Sequence, residues 1–159
     1  MLIAVACAEL AGCSAAGTPI SAVPSLSDVL ALGSAHIAYP GSVVDYRLGS
    51  GVSTGPKGLR PAYASTVFTL RSPVGLGRFF GWWQARLSAR GWRWEWAGKR
   101  PAGAQVVASH YARLGRELYE VAVDNPRLLA QAGYPVEVGR GLVYETSLIV
   151  EPASITRRR

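Results

Sequence analysis

At 159 residues, 49% hydrophobic and 17% charged, the chain is long enough to fold one domain around a buried core and too apolar to remain wholly disordered. Eighteen glycines and ten prolines imply short elements joined by many turns. The net charge of +7 is dispersed apart from Arg157, Arg158 and Arg159, and no nucleic-acid-binding module accompanies it, so DNA and RNA are not expected partners. Only two of the seventeen basic residues are lysine, an arginine bias of the kind that GC-rich coding imposes.

Residues 2–8, LIAVACA, form an apolar run far shorter than the roughly 20 residues that span a bilayer, and small residues follow it. The run reads as the apolar part of a signal peptide. Because the first basic residue is Arg47, the basic part is expected upstream of Met1. LAGC, residues 10–13, resembles the lipobox of bacterial lipoproteins. The resemblance implies that diacylglycerol is attached to the Cys13 sulfur and that cleavage falls just before Cys13. A thiol is the nucleophile such an alkylation needs, and small side chains before it let an extended backbone enter the peptidase. Cys7 then leaves with the signal, and the mature domain holds neither a free thiol nor a disulfide. As a metal pair, Cys7 and Cys13 lack the two further ligands of a zinc site.

The expected map is a partial signal peptide at 1–12, a flexible tether at 13–42, a globular α+β domain at 43–152 and a basic tail at 153–159. From Ser14 to Ser42 the composition is Ala, Ser, Gly and Pro with almost no charge, which suits a tether. Within it SLSDVLALG, residues 25–33, fits a two-turn helix capped by Ser25 or Ser27, marginal on its own. VVDYRL, 43–48, alternates as a strand; the glycines of 49–58 mark a loop; AYASTVFTLR, 62–71, is a second strand. Ser72 as N-cap, Pro73 at the first helical position and Gly91 at the left-handed C′ position bracket a helix. Leu76, Phe79, Phe80, Trp83 and Leu87 stripe one side of it, and Trp92 completes a Schellman motif on Leu87. WRWEWAG, 92–98, is a strand with its tryptophans on one side. Residues 104–114 and 117–125 form a hairpin through Gly115-Arg116; PRLLAQAG, 126–133, is a short helix; 141–152 is a last strand. The order β-β-α-β-β-β-α-β predicts an α+β, two-layer sandwich, a mostly antiparallel sheet with one long helix packed on one face.

Residues 68–96, from FTLRSP to GWRWEW, resemble the strand, helix and L-x-x-x-G-W turn of small lipoproteins of high-GC Gram-positive bacteria, with Leu87 and Gly91-Trp92 at the turn positions. The resemblance implies location and fold and carries no activity.

Residues with chemical potential are few. The glycines of GLGRFFG, 75–81, follow a strand and open a helix, but their spacing is not that of a dinucleotide-binding turn and no further βαβ unit follows; Gly77 and Gly81 are expected to let the helix sit close to the sheet. Only His36 and His110 are histidines, with no serine elbow or metal spacing beside them. Glu117 and Glu120 flank Tyr119, and Glu137 and Glu145 lie toward the last turn, all read as solvated charges. Trp92, Trp94 and Trp96 offer either a platform for cell-wall polysaccharide or a layer buried against the helix stripe, and burial is favoured because both faces need a partner. The expected protein is therefore non-enzymatic: exported, anchored to the outer face of the cell membrane through lipid on Cys13, binding or holding an envelope protein or cell-wall polymer without cofactor or metal. An enzyme whose site assembles only in the fold is the further alternative.

Overall fold

The computed structural model describes residues 22–56, 58–99, 104–139 and 141–153. Cys7, Cys13 and Arg157 to Arg159 lie outside these. The described chain is a mixed α/β fold with an antiparallel six-stranded sheet and few helices. Its large strands are β1 (Ser42–Ser50), β4 (Ala62–Leu70), β5 (Arg93–Lys99), β6 (Val106–Leu114), β7 (Glu117–Asp124) and β8 (Leu142–Val150), in the order β1-β4-β8-β7-β6-β5. The last strand thus enters the middle of the sheet, pairing β4 from Ala62↔Val150 to Leu70↔Leu142 and β7 from Glu117↔Val150 to Val123↔Tyr144.

Two elements stand where none was expected. The glycine-rich stretch after Leu48 is not wholly loop: β1 continues to Ser50, and a small hairpin follows, β2 (Ser53–Gly55) paired with β3 (Gly58–Arg60). Three-residue strands are too short for a periodic signal, so glycine dominated the local reading.

The expected tether is packed from Ala22 onward. Helix α1 (Leu26–Ala31) carries a capping box, with Ser25 Oγ accepting from the Asp28 amide at 3.2 Å and Asp28 accepting from the Ser25 amide at 2.8 Å. A 3-10 turn follows at Gly33–His36. Val29 is fully buried and Ile37 nearly so, in one cluster with Ala62 and Ala64 of β4. Small residues make this possible: a Cβ on Gly49 of β1 would sit 2.5 Å from Leu26 Cδ1 and 3.0 Å from the Tyr63 carbonyl, so glycine leaves the hollow that α1 fills. The Tyr39 amide donates to Tyr144 Oη at 2.9 Å, and that hydroxyl donates to Ser42 Oγ at 2.8 Å. Low charge described the segment correctly, but its apolar residues are spaced to meet a complementary surface.

Helix α2 (Leu76–Ser88) starts three residues later than the Ser72-Pro73 pair suggests, with Gly75 at its N-cap. Residues 73–75 stay non-helical while Val74 packs on the core. At the other end the Trp92 amide bonds the Leu87 carbonyl at 3.2 Å, the Gly91 amide bonds the Ser88 carbonyl at 3.0 Å, and Gly91 has φ +83°, the Schellman geometry that a residue with a Cβ resists. Phe79, Phe80, Trp83 and Leu87 are buried. Phe79 meets Tyr144 at 5.0 Å and Trp83 meets Tyr119 at 5.8 Å between ring centroids, an aromatic layer that removes a large apolar area from water. A Cβ at Gly77 or Gly81 would meet nothing within 4 Å; these two glycines face open space, contrary to the close helix–sheet approach expected of them. Helix α3 (Pro126–Gln131), capped by Asn125, joins β7 to β8.

Candidate functional site

Side chains of a strand alternate between its two sides, and on β4, β7 and β8 the two sets differ in chemistry. Phe68, Leu70, Tyr119, Val121, Val123, Tyr144, Leu148 and Val150 share the main core with α2. The alternate positions are Tyr63, Ser65, Val67 and Thr69 on β4, Glu120, Ala122 and Asp124 on β7, and Glu145, Ser147 and Ile149 on β8. Ser65 lies opposite Ser147 on one side, and Glu120 opposite Ser147 on the other. Three hydroxyl and carboxyl groups meet there. Ser65 Oγ donates to Glu145 Oε1, Ser147 Oγ donates to the same oxygen at 2.9 Å, and the two hydroxyls lie 3.0 Å apart.

Toward the β2–β3 hairpin this polar strip opens into a cleft of ≈ 390 Å³ lined by Ser50, Ser53, Arg60, Pro61, Tyr63, Ser147 and Ile149. That volume lies at the small end of the range for ligand sites. Toward α3 the strip closes. Val67, Val143 and Leu129 form a second apolar cluster with Tyr46 and Val136 against it, and Tyr46 stacks on Tyr134 at 5.4 Å. Asp45 accepts from Thr69 Oγ1 at 2.8 Å. Asp124 is buried with no hydrogen-bond partner for Oδ2 among the described residues; burial, then the charges of Glu145 and Glu120, push its carboxyl up to about 7. Burial foremost, then Glu145, raises the Tyr46 phenol to about 12. Confinement and like charge both favour the neutral acid.

The arrangement offers hydrogen bonds to a hydroxylated ligand and, at Arg60, a charge-assisted one. A serine elbow is not part of it. His110 lies on the other side of the sheet, 4.3 Å from Phe80 and stacked on Trp94 at 5.0 Å, where burial lowers its pKa, so no imidazole reaches Ser65. Among the described residues no three His, Cys, Asp or Glu side chains are placed to hold a metal ion, and no described helix is long and apolar enough to cross a membrane.

The tryptophan row divides. Trp92 is 5% exposed, edge-on to Tyr119 at 5.7 Å, so its ring has no surface for a sugar. Trp94 is half-buried over His110. Trp96 pairs His110 through its backbone; its side chain lies outside the described part, as does Cys13. Of the histidines, His36 Nε2 bonds the Leu30 carbonyl at 2.7 Å. Among the glutamates, Glu137 is exposed and Glu117 half-buried, with its carboxyl raised by burial, whereas Glu145 sits in the middle of β8 at the polar strip. Ser65, Ser147, Tyr63, Arg60 and Asp124 were not foreseen as site residues. The signal in the strands was faint: Ser65 and Thr69 in AYASTVFTL and Glu145 and Ser147 in LVYETSLIV stand at alternate positions, but Thr66 and Thr146 fall on the opposite side and blur the pattern.

Compared with family models, curated proteins and solved structures, the chain matches none of them.

Proposed function

We propose that the protein is a non-catalytic binding domain of the cell envelope, anchored to the outer face of the membrane by lipid on Cys13, whose cleft beneath the β2–β3 hairpin takes a hydroxyl-rich cell-wall polymer. The reading includes a two-layer body in which α2 is the one long helix covering a single face of the sheet. Its support is the burial of Phe79, Phe80, Trp83 and Leu87 among residues of β4, β7 and β8. The observation that carries the binding role is the hydroxyl-lined cleft itself, with Tyr63 37% exposed beside Ser147 and Arg60. An exposed phenol ring supplies a face for a sugar, and the hydroxyls and guanidinium supply directional bonds. Burial removes Trp92 from the expected tryptophan platform.

Anchoring rests on the lipobox-like LAGC at residues 10–13. The experiment for the cleft is co-sedimentation of the full chain with insoluble cell-wall polysaccharide. Wild type is expected in the pellet, and Tyr63→Ala and Arg60→Ala largely in the supernatant with unchanged melting. Equal sedimentation of all three proteins overturns the cleft as the binding site.

A further inference from the structure

A second cleft, of ≈ 560 Å³, lies away from the polar strip, between the 3-10 turn and the C-terminal half of α2, lined by Gly33, His36, Ile37, Ala38, Pro40, Trp82, Arg86 and Arg90. We propose that this cleft binds a phosphate group carried on a sugar or polyol, with Arg86 and Arg90 holding the phosphate and His36 and Trp82 lying against the carrier. The proposal goes beyond the hairpin cleft and uses none of its residues.

Three observations converge. Arg86, in the last turn of α2, and Arg90, in the turn that follows it, line the same cleft, and neither has an ion-pair partner among the described residues. The two described salt bridges, Arg93 to Glu95 and Arg113 to Glu151, involve other residues. Helix α2, LGRFFGWWQARLS, contains no acidic residue, so the repulsion between these like charges is not relieved by its own element. A cation near a helix C-terminus suits the dipole, which accounts for Arg86, but it does not explain why a histidine from another element lines the same cleft.

His36 is held there. Its Nε2 bonds the Leu30 carbonyl at 2.7 Å, which fixes the ring, and the packing of Ile37 in the core fixes the turn that carries it. Trp82 is equally positioned: its ring lies 5.0 Å from Tyr39 and meets Trp83 edge-on at 5.0 Å. A held imidazole, a held indole and two unpaired guanidiniums around one hollow suit an anion with an attached ring or chain. Guanidinium matches phosphate in two-pronged geometry, and an indole wall with Ile37, Ala38 and Pro40 suits the less polar side of a sugar or polyol. A bound phosphate also removes the repulsion between Arg86 and Arg90.

The test is calorimetric titration of the full chain with glucose 6-phosphate, inorganic phosphate and glucose. Glucose 6-phosphate is expected to bind more tightly than inorganic phosphate, and glucose to give no heat at the same concentration. Arg86→Ala and Arg90→Ala should each weaken glucose 6-phosphate by about tenfold or more, the loss of one charge-assisted hydrogen-bonding group. Trp82→Phe should weaken glucose 6-phosphate while leaving inorganic phosphate unchanged. Arg78→Ala, in the first turn of the same helix and exposed, should bind as wild type does. Wild-type affinity in an Arg86→Ala/Arg90→Ala double variant, an equal loss in Arg78→Ala, or no heat with either phosphate probe overturns the proposal. None of these results bears on polysaccharide sedimentation through Tyr63 and Arg60, so the two clefts stand or fall separately.

Discussion

The amide of Ala153 donates to the carbonyl of Ala22 at 2.8 Å, so the two ends of the described domain leave from one place. Arg116 reinforces the junction, its Nε donating to the Glu151 carbonyl at 2.9 Å and an Nη to the Ala22 carbonyl at 3.4 Å. Eight residues, 14–21, separate Cys13 from Ala22, and a fully extended chain of that length reaches about 30 Å. Lipid on Cys13 would therefore hold the domain within about its own diameter of the membrane, far closer than a tether running to Ser42 would allow.

The first prediction follows from that packing. Limited proteolysis should leave a core beginning near Ala22, because α1 and the 3-10 turn bury Val29 and Ile37 against β4. Val29→Ala should cost about 2 kcal/mol, the loss of two buried methyl groups plus a small cavity. Cleavage between residues 22 and 42 at a protease dose that leaves 43–153 whole would contradict it.

The tryptophans are predicted to differ in a denaturant melt. Trp83 is fully buried between Tyr119, Tyr144 and Phe79, so Trp83→Ala should cost about 3 to 5 kcal/mol. That is a large share of a domain stability of about 5 to 15 kcal/mol. Trp94, half-buried over His110, should cost only about 1 to 2 kcal/mol on truncation, in proportion to the area it removes from water. Equal losses at the two positions would contradict the packing described.

Asp124 is predicted to make stability fall as pH rises. Its carboxyl is raised from 3.8 to about 7 in the fold, so between those values the folded chain keeps a proton that the unfolded chain has released. The effect is absent below about pH 4, grows up to about pH 7 and is then complete, at up to about 4 kcal/mol. Asp124→Asn keeps the neutral shape and removes the titration. Urea melts of both proteins from pH 4.5 to 7.5 should show the variant gaining on wild type as pH rises; parallel curves would contradict the burial of Asp124.

Much of this architecture was legible in residues with strong local signals. Gly91 and Trp92 marked the end of α2 because a left-handed residue followed by an apolar one has few other uses. Alternating apolar residues marked the large strands, and Pro126 marked α3. What escaped depended on partners distant in sequence. Gly49 looked like a loop residue until Leu26 was seen to occupy its hollow, and β8 gave no sign that it would pair with β4 and β7 rather than add an edge. The hairpin cleft escaped for the same reason: Ser65 and Ser147 are 82 residues apart, and only sheet register makes them neighbours. The cleft of Arg86 and Arg90 escaped too, because their convergence with His36 required the N-terminal segment to fold back.

The most direct test of the account is metabolic labelling with a fatty-acid analogue, followed by cell fractionation, of the protein expressed from its native gene. Wild type should carry the label and sediment with membranes, while Cys13→Ala should carry none and leave the membrane fraction. Unlabelled wild-type protein recovered from the cytosol would contradict the anchored, envelope-bound domain proposed above.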